Sequence, residues 1–279
     1  MSLAKGYPWS FSDHHFKGYS LAGQCTSLFY NNAKVVFDVG SGLPFNIHGK
    51  LYCISHLHSD HGAGLPYILA QRSLYGLPTP PMLVPEYGIK SLSLILKEWM
   101  KIEGFQYDFN FIPVGEGFEF SFQSKYLIRA FPTTHRVPSF GYILYEKHKK
   151  LKKEFQNYSG KQLQELRNQG QKIEKEELRP LIAFTGDTQI EFINAHEDVL
   201  KSDILFLECT YLDEQKSIAD TRKWGHTHFH EILENLEIFK NKHLCFIHLS
   251  SRYSSQLATK IMNEKLPANF SYSIFPRPI

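Results

Sequence analysis

The sequence predicts an α/β fold in which helices are layered on two central β-sheets within one domain. Three observations predict it. Short apolar stretches of strand character recur along most of the chain, helical stretches fall mostly between them, and no composition break separates two independent cores. In chain order, KVVFDVGSG (34–42) alternates like a strand and breaks at Gly40, and LYCIS (51–55) is a second strand leading into HLHSDHGAGLPYILAQ, where loop gives way to helix. MLVP (82–85) precedes IKSLSLILKEWM, whose apolar spacing is helical. DFNFIPV, GFEFSF, KYLIRAF and FGYILYE read as strands, as do the mostly apolar, hence central, LIAFTGD (181–187) and DILFLECTYL (203–212). HFHEILENLEIF, with apolar residues at 229, 232, 233, 236 and 239, predicts an amphipathic helix. HLCFIHL (243–249) predicts a strand, SQLATKIMNEKL a helix and FSYSIF a last short strand.

Composition excludes several classes. Of 279 residues, 42% are hydrophobic and 14% aromatic, too many for a disordered chain, and 18 Gly with 14 Pro are too few for collagen. No apolar run approaches a membrane span, mean hydropathy is −0.31, and the N-terminal stretch has no apolar signal region, so a soluble, intracellular, cytoplasmic protein is expected. Four cysteines stand far apart without CxxC pairing and read as buried thiols. Histidine is the unusual residue, at 14 copies, several of them clustered. The net charge of +3 is local: residues 146–179 carry ten Lys/Arg against six Asp/Glu, while the rest of the chain is near neutral. Within 146–179 only a weak helical pattern surrounds Leu163, Leu166 and Ile173, and the segment reads as an excursion from the domain that meets an anion.

The chemistry concentrates in SHLHSDHG (55–62). In an extended chain His56 and His58 point the same way from a strand end, and a following turn brings Asp60 and His61 to the other side of one small volume. Four N/O donors in six residues suit a borderline divalent metal and exceed the needs of one catalytic ion. Other strand ends offer more donors: His135 in PTTH, Asp187 beside the small Gly186, and His248. Taken singly, each has an ordinary structural reading, a core histidine or a turn-forming aspartate.

HLHSDHGAGLP resembles the HxHxDH motif of the metallo-β-lactamase superfamily, which implies a four-layer αββα fold. THRVPSFGY (134–142), FTGDT (184–188), FLECTYLD (206–213), GHTHFHE (225–231) and IHLSSRYS (247–254) follow in order and narrow the resemblance to ribonuclease Z, the tRNA 3′-processing endonuclease, in its short plant-type form. The lysine-rich arm at 150–170 belongs to the same likeness, with a plant-type run in place of the bacterial Gly-Pro tip. The resemblance implies an endoribonuclease that removes the 3′ trailer of precursor tRNA with a water activated between two divalent ions, zinc. It implies His56, His58 and His135 on one ion, Asp60, His61 and His248 on the other, and Asp187 bridging. Asp60 corresponds to the general base. Glu208 and His226 match an acid pair in which the carboxylate charges the imidazole that protonates the leaving 3′-oxygen. The helix after His226 is expected to favour phosphate at its N-terminus. His228 and His230 are set aside as ligands because residues two apart on a helix diverge. ECT stands where EAT is usual, and GHT for GHS. The arm lysines, Lys149, Lys150, Lys152 and Lys153, and Arg252 are the expected substrate contacts, and the partners expected are precursor tRNA and a second subunit whose arm holds tRNA for its neighbour's site. The rival readings are a small-molecule zinc phosphodiesterase of the same fold and an RNA-binding module without metal.

Overall fold

A computed structural model describes residues 3–277. One seven-stranded sheet is formed in sequence order by β1 (Tyr7–Phe11), β2 (His14–Leu21), β3 (Cys25–Tyr30), β4 (Val35–Phe37), β5 (Leu51–Cys53), β6 (Pro81–Pro85) and β7 (Asn110–Val114). The other is formed by β8 (Glu119–Phe122), β9 (Tyr126–Thr133), β10 (Ser139–Leu151), β11 (Glu174–Phe184), β12 (Ile204–Glu208), β13 (His243–Ile247) and β14 (Tyr272–Ile274). The helices are α1 (Ser59–Gly62), α2 (Leu65–Leu74), α3 (Glu86–Glu103), α4 (Gly160–Asn168), α5 (Ile218–Lys223), α6 (Phe229–Glu234) and α7 (Ser255–Lys265).

Strand alternation builds the layers. Leu51 and Cys53 of β5, Ile204 and Phe206 of β12, and Cys245 and Ile247 of β13 meet in one cluster between the sheets. The alternate residues face outward into separate clusters. Tyr52 packs with Leu92 and Leu96 of α3, and Leu205, Leu207, Leu244 and Phe246 pack with Ile232 of α6 and Met262 of α7. Helix, sheet, sheet and helix are therefore the expected four layers. Each sheet is antiparallel on one side and parallel on the other, with β4–β7 and β11–β14 parallel.

Two predicted elements differ and three strands carry no sequence signal. The helix expected from HFHEILENLEIF stops at Glu234, where the Asn235 side chain donates to the Glu231 carbonyl and the chain passes into a 3-10 turn. Ile173 lies outside any helix and is buried at the root of β11. Strands β1–β3 escape the pattern because Pro8, Gly18 and the His14–His15 pair interrupt alternation, and all six residues of β3 are buried. The basic segment is a ribbon with a helical tip. β10 and β11 pair from Tyr142↔Phe184 out to Leu151↔Glu174, whereas β9 leaves β10 at Glu146. Beyond that point no third strand joins the ribbon among the described residues. At its tip α4 is held by a capping box between Ser159 and Gln162.

Candidate active site

The donors expected from separate motifs meet where the strands of both sheets end. After β5 the chain stays extended through His58, then makes the single turn α1, which carries Asp60 and His61. His135 follows β9, Asp187 follows β11, Glu208 ends β12 and His248 follows β13. Gly186 has φ +60°, and a Cβ there would sit 2.5 Å from the Ser55 Cβ, so only glycine lets the Asp187 loop close on the histidine loop. His248 itself adopts φ 57°, a left-handed conformation uncommon outside glycine.

Two groups of donor atoms take up the expected ligands, and a third, Asp187, His226 and His248, overlaps them. His56, His58, His135 and Asp187 form one and Asp60, His61 and His248 the other, each with ligand atoms within 4.8 Å of one another. In the first, His58 Nδ1 lies 3.0 Å from His56 Nε2 and 3.2 Å from His135 Nε2. In the second, His248 Nε2 lies 3.4 Å from Asp60 Oδ2. Asp187 stands between them, with Oδ1 3.3 Å from His61 Nε2, and Oδ2 3.3 Å from His248 Nε2 and 3.9 Å from His56 Nε2.

The far side of each ring decides what the near side offers. Ser55 Oγ donates to Asp38 Oδ2 and so accepts from His56 Nδ1. The Gly225 carbonyl accepts from His135 Nδ1, and Asp38 Oδ2 from His61 Nδ1 at 2.7 Å. Thr210 Oγ1 donates to Glu208 Oε2 and accepts from His248 Nδ1. With tautomers assigned from these partners, the Nε2 atoms of His56, His61, His135 and His248 point inward at one another and at carboxylates. His61 Nε2 and Asp187 Oδ1 are buried, lie 3.3 Å apart and have no well-aligned hydrogen-bond partner among the described residues. Imidazole nitrogens and carboxylate oxygens converging on one small volume fit a divalent cation, and imidazole with carboxylate is the donor set such ions take.

Electrostatics agrees. Burial pushes His56 well below the usual imidazole range and His135 down to about 4, keeping both neutral and available as ligands. Burial also opposes a charge on His61, but Asp187 and Asp38 outweigh it and hold His61 well above its usual range, so proton and cation compete there. Asp60, desolvated yet held by His248 and His61, lies below the usual carboxylate range, and Gly23 N–H donates to its Oδ2 at 2.9 Å.

Glu208 is fully buried. Its Oε1 accepts from His226 Nδ1 at 2.7 Å and from the Thr227 amide at 3.1 Å. Burial lowers His226, but Glu208 more than compensates and raises it to about 9, so the ring is an imidazolium at neutral pH. That ring stacks on His248 at 5.1 Å and lines, with His58, Asp60, His135 and Asp187, an open cleft of about 300 Å³.

The structure corrects one expectation and gives two others a definite form. The N-terminus of α6 is not open to phosphate: the Glu231 carboxylate already accepts the His228 amide and pairs with Arg222. His228 and His230 do lie close, with ring centroids 5.0 Å apart, because His228 caps the helix rather than lying on it. They gather no third donor, and no such metal group exists among the described residues. The arm lysines form no single patch, since Lys149 and Lys150 are adjacent on β10 and leave by opposite faces. Lys150 pairs with Glu177 and Lys152 with Glu154, whereas Lys149 and Lys153 have no ion pair among the described residues. Arg252 is exposed at the cleft rim, 6.0 Å over the Tyr211 ring. The residue that sequence reasoning missed is Asp38, buried, at φ 52°, and accepting from Ser55 and His61. Its signal is an aspartate closing the apolar run VVF, the same strand-end pattern as Asp187.

Comparisons with known proteins agree with this geometry. Residues 51–249 match the beta-lactamase superfamily domain. The tRNase Z TRZ1 of Arabidopsis thaliana is 32% identical over 252 residues, covering 90% of this chain and 88% of that protein. The chloroplastic tRNase Z TRZ2 of the same plant is 34% identical over 239 residues, 85% of this chain and 68% of that protein. Among solved structures, the short form of human tRNase Z (ELAC1) superposes with a TM-score of 0.58 at 17% identity, over 99% of this chain and 98% of that one. The chain belongs to the beta-lactamase superfamily and, within it, to the tRNase Z family.

Proposed function

We propose that this chain is a metal-dependent endoribonuclease that removes the 3′ trailer from precursor tRNA, with two divalent ions in each subunit. The observation that carries the reading is the juxtaposition of two inward-facing donor groups with the Glu208–His226 pair on one cleft wall. His56, His58 and His135 would hold one ion and Asp60, His61 and His248 the other, with Asp187 placed to reach either. Zinc suits an imidazole-rich donor set. Bound there, the ions supply Lewis acidity toward the scissile phosphodiester and the attacking water. Asp60, oriented by the Gly23 amide, takes the proton of that water as the new P–O bond forms. His226, kept charged by Glu208, gives its proton to the departing 3′-oxygen as the P–O3′ bond breaks. The tRNA keeps a 3′-hydroxyl and the trailer a 5′-phosphate.

The 146–179 ribbon is the tRNA-docking arm. Leu151 stands eleven residues beyond Phe140, about 36 Å along the strand and away from the metal end. An arm so placed serves a second subunit's site better than its own, which supports a homodimer. Ile95, Trp99 and Ile102, exposed at helical spacing on one side of α3, support self-association as well. Four unpaired cysteines suit a reducing intracellular compartment, and no helix among the described residues is long and apolar enough to cross a membrane.

The test is to incubate the purified protein with end-labelled precursor tRNA and with an aryl phosphodiester, and to map the RNA termini. A single cut at the 3′ end of the tRNA body with a 3′-hydroxyl is expected. Turnover of the aryl ester with intact RNA would instead assign a small-molecule phosphodiesterase.

A further inference from the structure

One large aromatic at the cleft has no task in the chemistry described so far. Trp224 is 49% exposed and lines the same cavity as His135 and His226. Its backbone is fixed: its amide donates to the Thr221 carbonyl at 3.1 Å, and the following Gly225 carbonyl accepts from His135 Nδ1. A Cβ on Gly225 would come within 2.6 Å of that ring nitrogen, so the segment 224–226 is seated directly against the donor groups. The guanidinium of Arg136 lies 4.8 Å from the indole centroid. Arg136 follows His135 in sequence, also lines the cleft, and has no salt bridge among the described residues. An exposed indole backed by an unpaired guanidinium, each within two residues of a cleft-forming histidine, is a poor way to finish a protein surface. It is a good way to hold a nucleobase, because bases stack on aromatic faces and on guanidinium planes alike.

We infer that Trp224 and Arg136 form a stacking platform for the base of the nucleotide whose 3′-oxygen departs, and so position the scissile phosphate. The inference rests on the RNA-cleaving reading above. The nucleotide follows from the neighbourhood: Trp224 lies two residues from His226, which protonates that oxygen. Stacking reads no hydrogen-bond edge, so every base is accepted and purines, with the larger π-face, are preferred.

The experiment uses the metal-loaded protein and two precursor RNAs identical except that one lacks the base 5′ of the cut. Cleavage efficiency is measured for wild type, W224A and W224F, with intrinsic tryptophan fluorescence read on binding of non-cleavable versions of both RNAs. Removing the base is expected to cost wild type roughly tenfold or more in kcat/KM. W224A is expected to lose a similar factor on intact RNA and to be indifferent to base removal, with W224F in between. Intact RNA, but not abasic RNA, is expected to quench wild-type fluorescence, and W224F is expected to lose that quench. Equal losses by W224A on both RNAs, or a quench independent of the base, would overturn the inference. If W224A does not fold, the wild-type quench with the two RNAs decides alone. Failure of wild type to cut either RNA would instead remove the reading on which the inference stands.

Discussion

Strand β13 begins at His243 and delivers His248 just past its last residue, and both imidazoles are buried, at 7% and 2% exposed. At the near end His243 is complete. Nδ1 meets Ser271 Oγ at 2.8 Å, Nε2 meets Ser273 Oγ at 2.9 Å, and the ring stacks on Phe11 at 4.3 Å. At the far end His248 has Nδ1 on Thr210, while Nε2 faces two carboxylates instead of a hydroxyl, 3.4 Å from Asp60 Oδ2 and 3.3 Å from Asp187 Oδ2. Burial and residue type do not distinguish the two. A ring nitrogen aimed at carboxylates rather than hydroxyls does. The same contrast separates the ends of the sheets: Asp203, at the His243 end, is already paired with Lys242 and Arg179, whereas Asp187 has an oxygen without a donor.

The sharpest way to break the contrast is to remove the group shared by both donor sets. Asp187→Ala is expected to lower bound metal from two ions to one or fewer and activity by on the order of 10³-fold or more, since the lost ion carries several kcal/mol of charge stabilisation. Metal content and turnover check this together; two retained ions would separate Asp187 from the centre. His226→Ala comes next. It is expected to slow RNA cleavage about 10²–10⁴-fold and an activated aryl phosphodiester far less, because a good leaving group needs no proton. Equal losses on both substrates would move His226 from proton donor to phosphate contact or scaffold. Asp38→Asn leaves the donor set intact but removes the carboxylate behind His61, and is expected to weaken metal affinity roughly 10- to 100-fold, read by competition with a chelating dye.

The His243 end predicts a different kind of effect. Burial holds His243 down to about 4, against 6.5 for a free imidazole. Between those values the unfolded chain binds a proton that the folded chain refuses, so stability is present above pH 6.5 and is lost as pH falls toward 4. About 1–3 kcal/mol is at stake, and His243→Asn is expected to flatten denaturant midpoints over that window with little effect on cleavage at neutral pH. A midpoint profile unchanged by the substitution would mean that other groups carry the acid sensitivity.

These two ends also mark how much was legible in the sequence. HxHxDH is local, so its geometry follows from strand and turn rules alone. His135, Asp187 and His248 were found because each follows an apolar strand, and parallel strands ending together bring their next residues together. Asp38 follows the same rule and was passed over, because nothing in a lone sequence says which strand-end aspartate faces a histidine 23 positions away. The early strands β1–β3 were illegible for a related reason: their burial comes from long-range pairing, and Pro8 and Gly18 hide the alternation. Within the basic segment, charge could be counted but direction could not. Only the pairing of β10 with β11 sets Lys149 and Lys150 on opposite faces.

That division yields the smallest and most specific expectation. A charge run that merely solubilises has no preferred face, whereas a docking arm does. Lys150 and Lys152 are each already matched with a glutamate, so phosphate must compete for them, while Lys149 and Lys153 have no such partner among the described residues. Each lysine that contacts a phosphate contributes roughly 0.7–0.9 to the slope of log affinity against log salt. Replacing Lys149 and Lys153 with glutamine is therefore expected to weaken precursor-tRNA binding and to flatten the slope by roughly 1.5. The matched pair Lys150 and Lys152, replaced likewise, is expected to change the slope by less. Aryl phosphodiester turnover should stay near wild type in both variants, because the ribbon carries these residues away from the metal end of the sheet. Equal slope changes in the two variants would mean that net charge matters and prior pairing with glutamate does not. No change in either would return the whole segment to a solvated charge run, and tRNA docking would then have to be sought on the body of the protein.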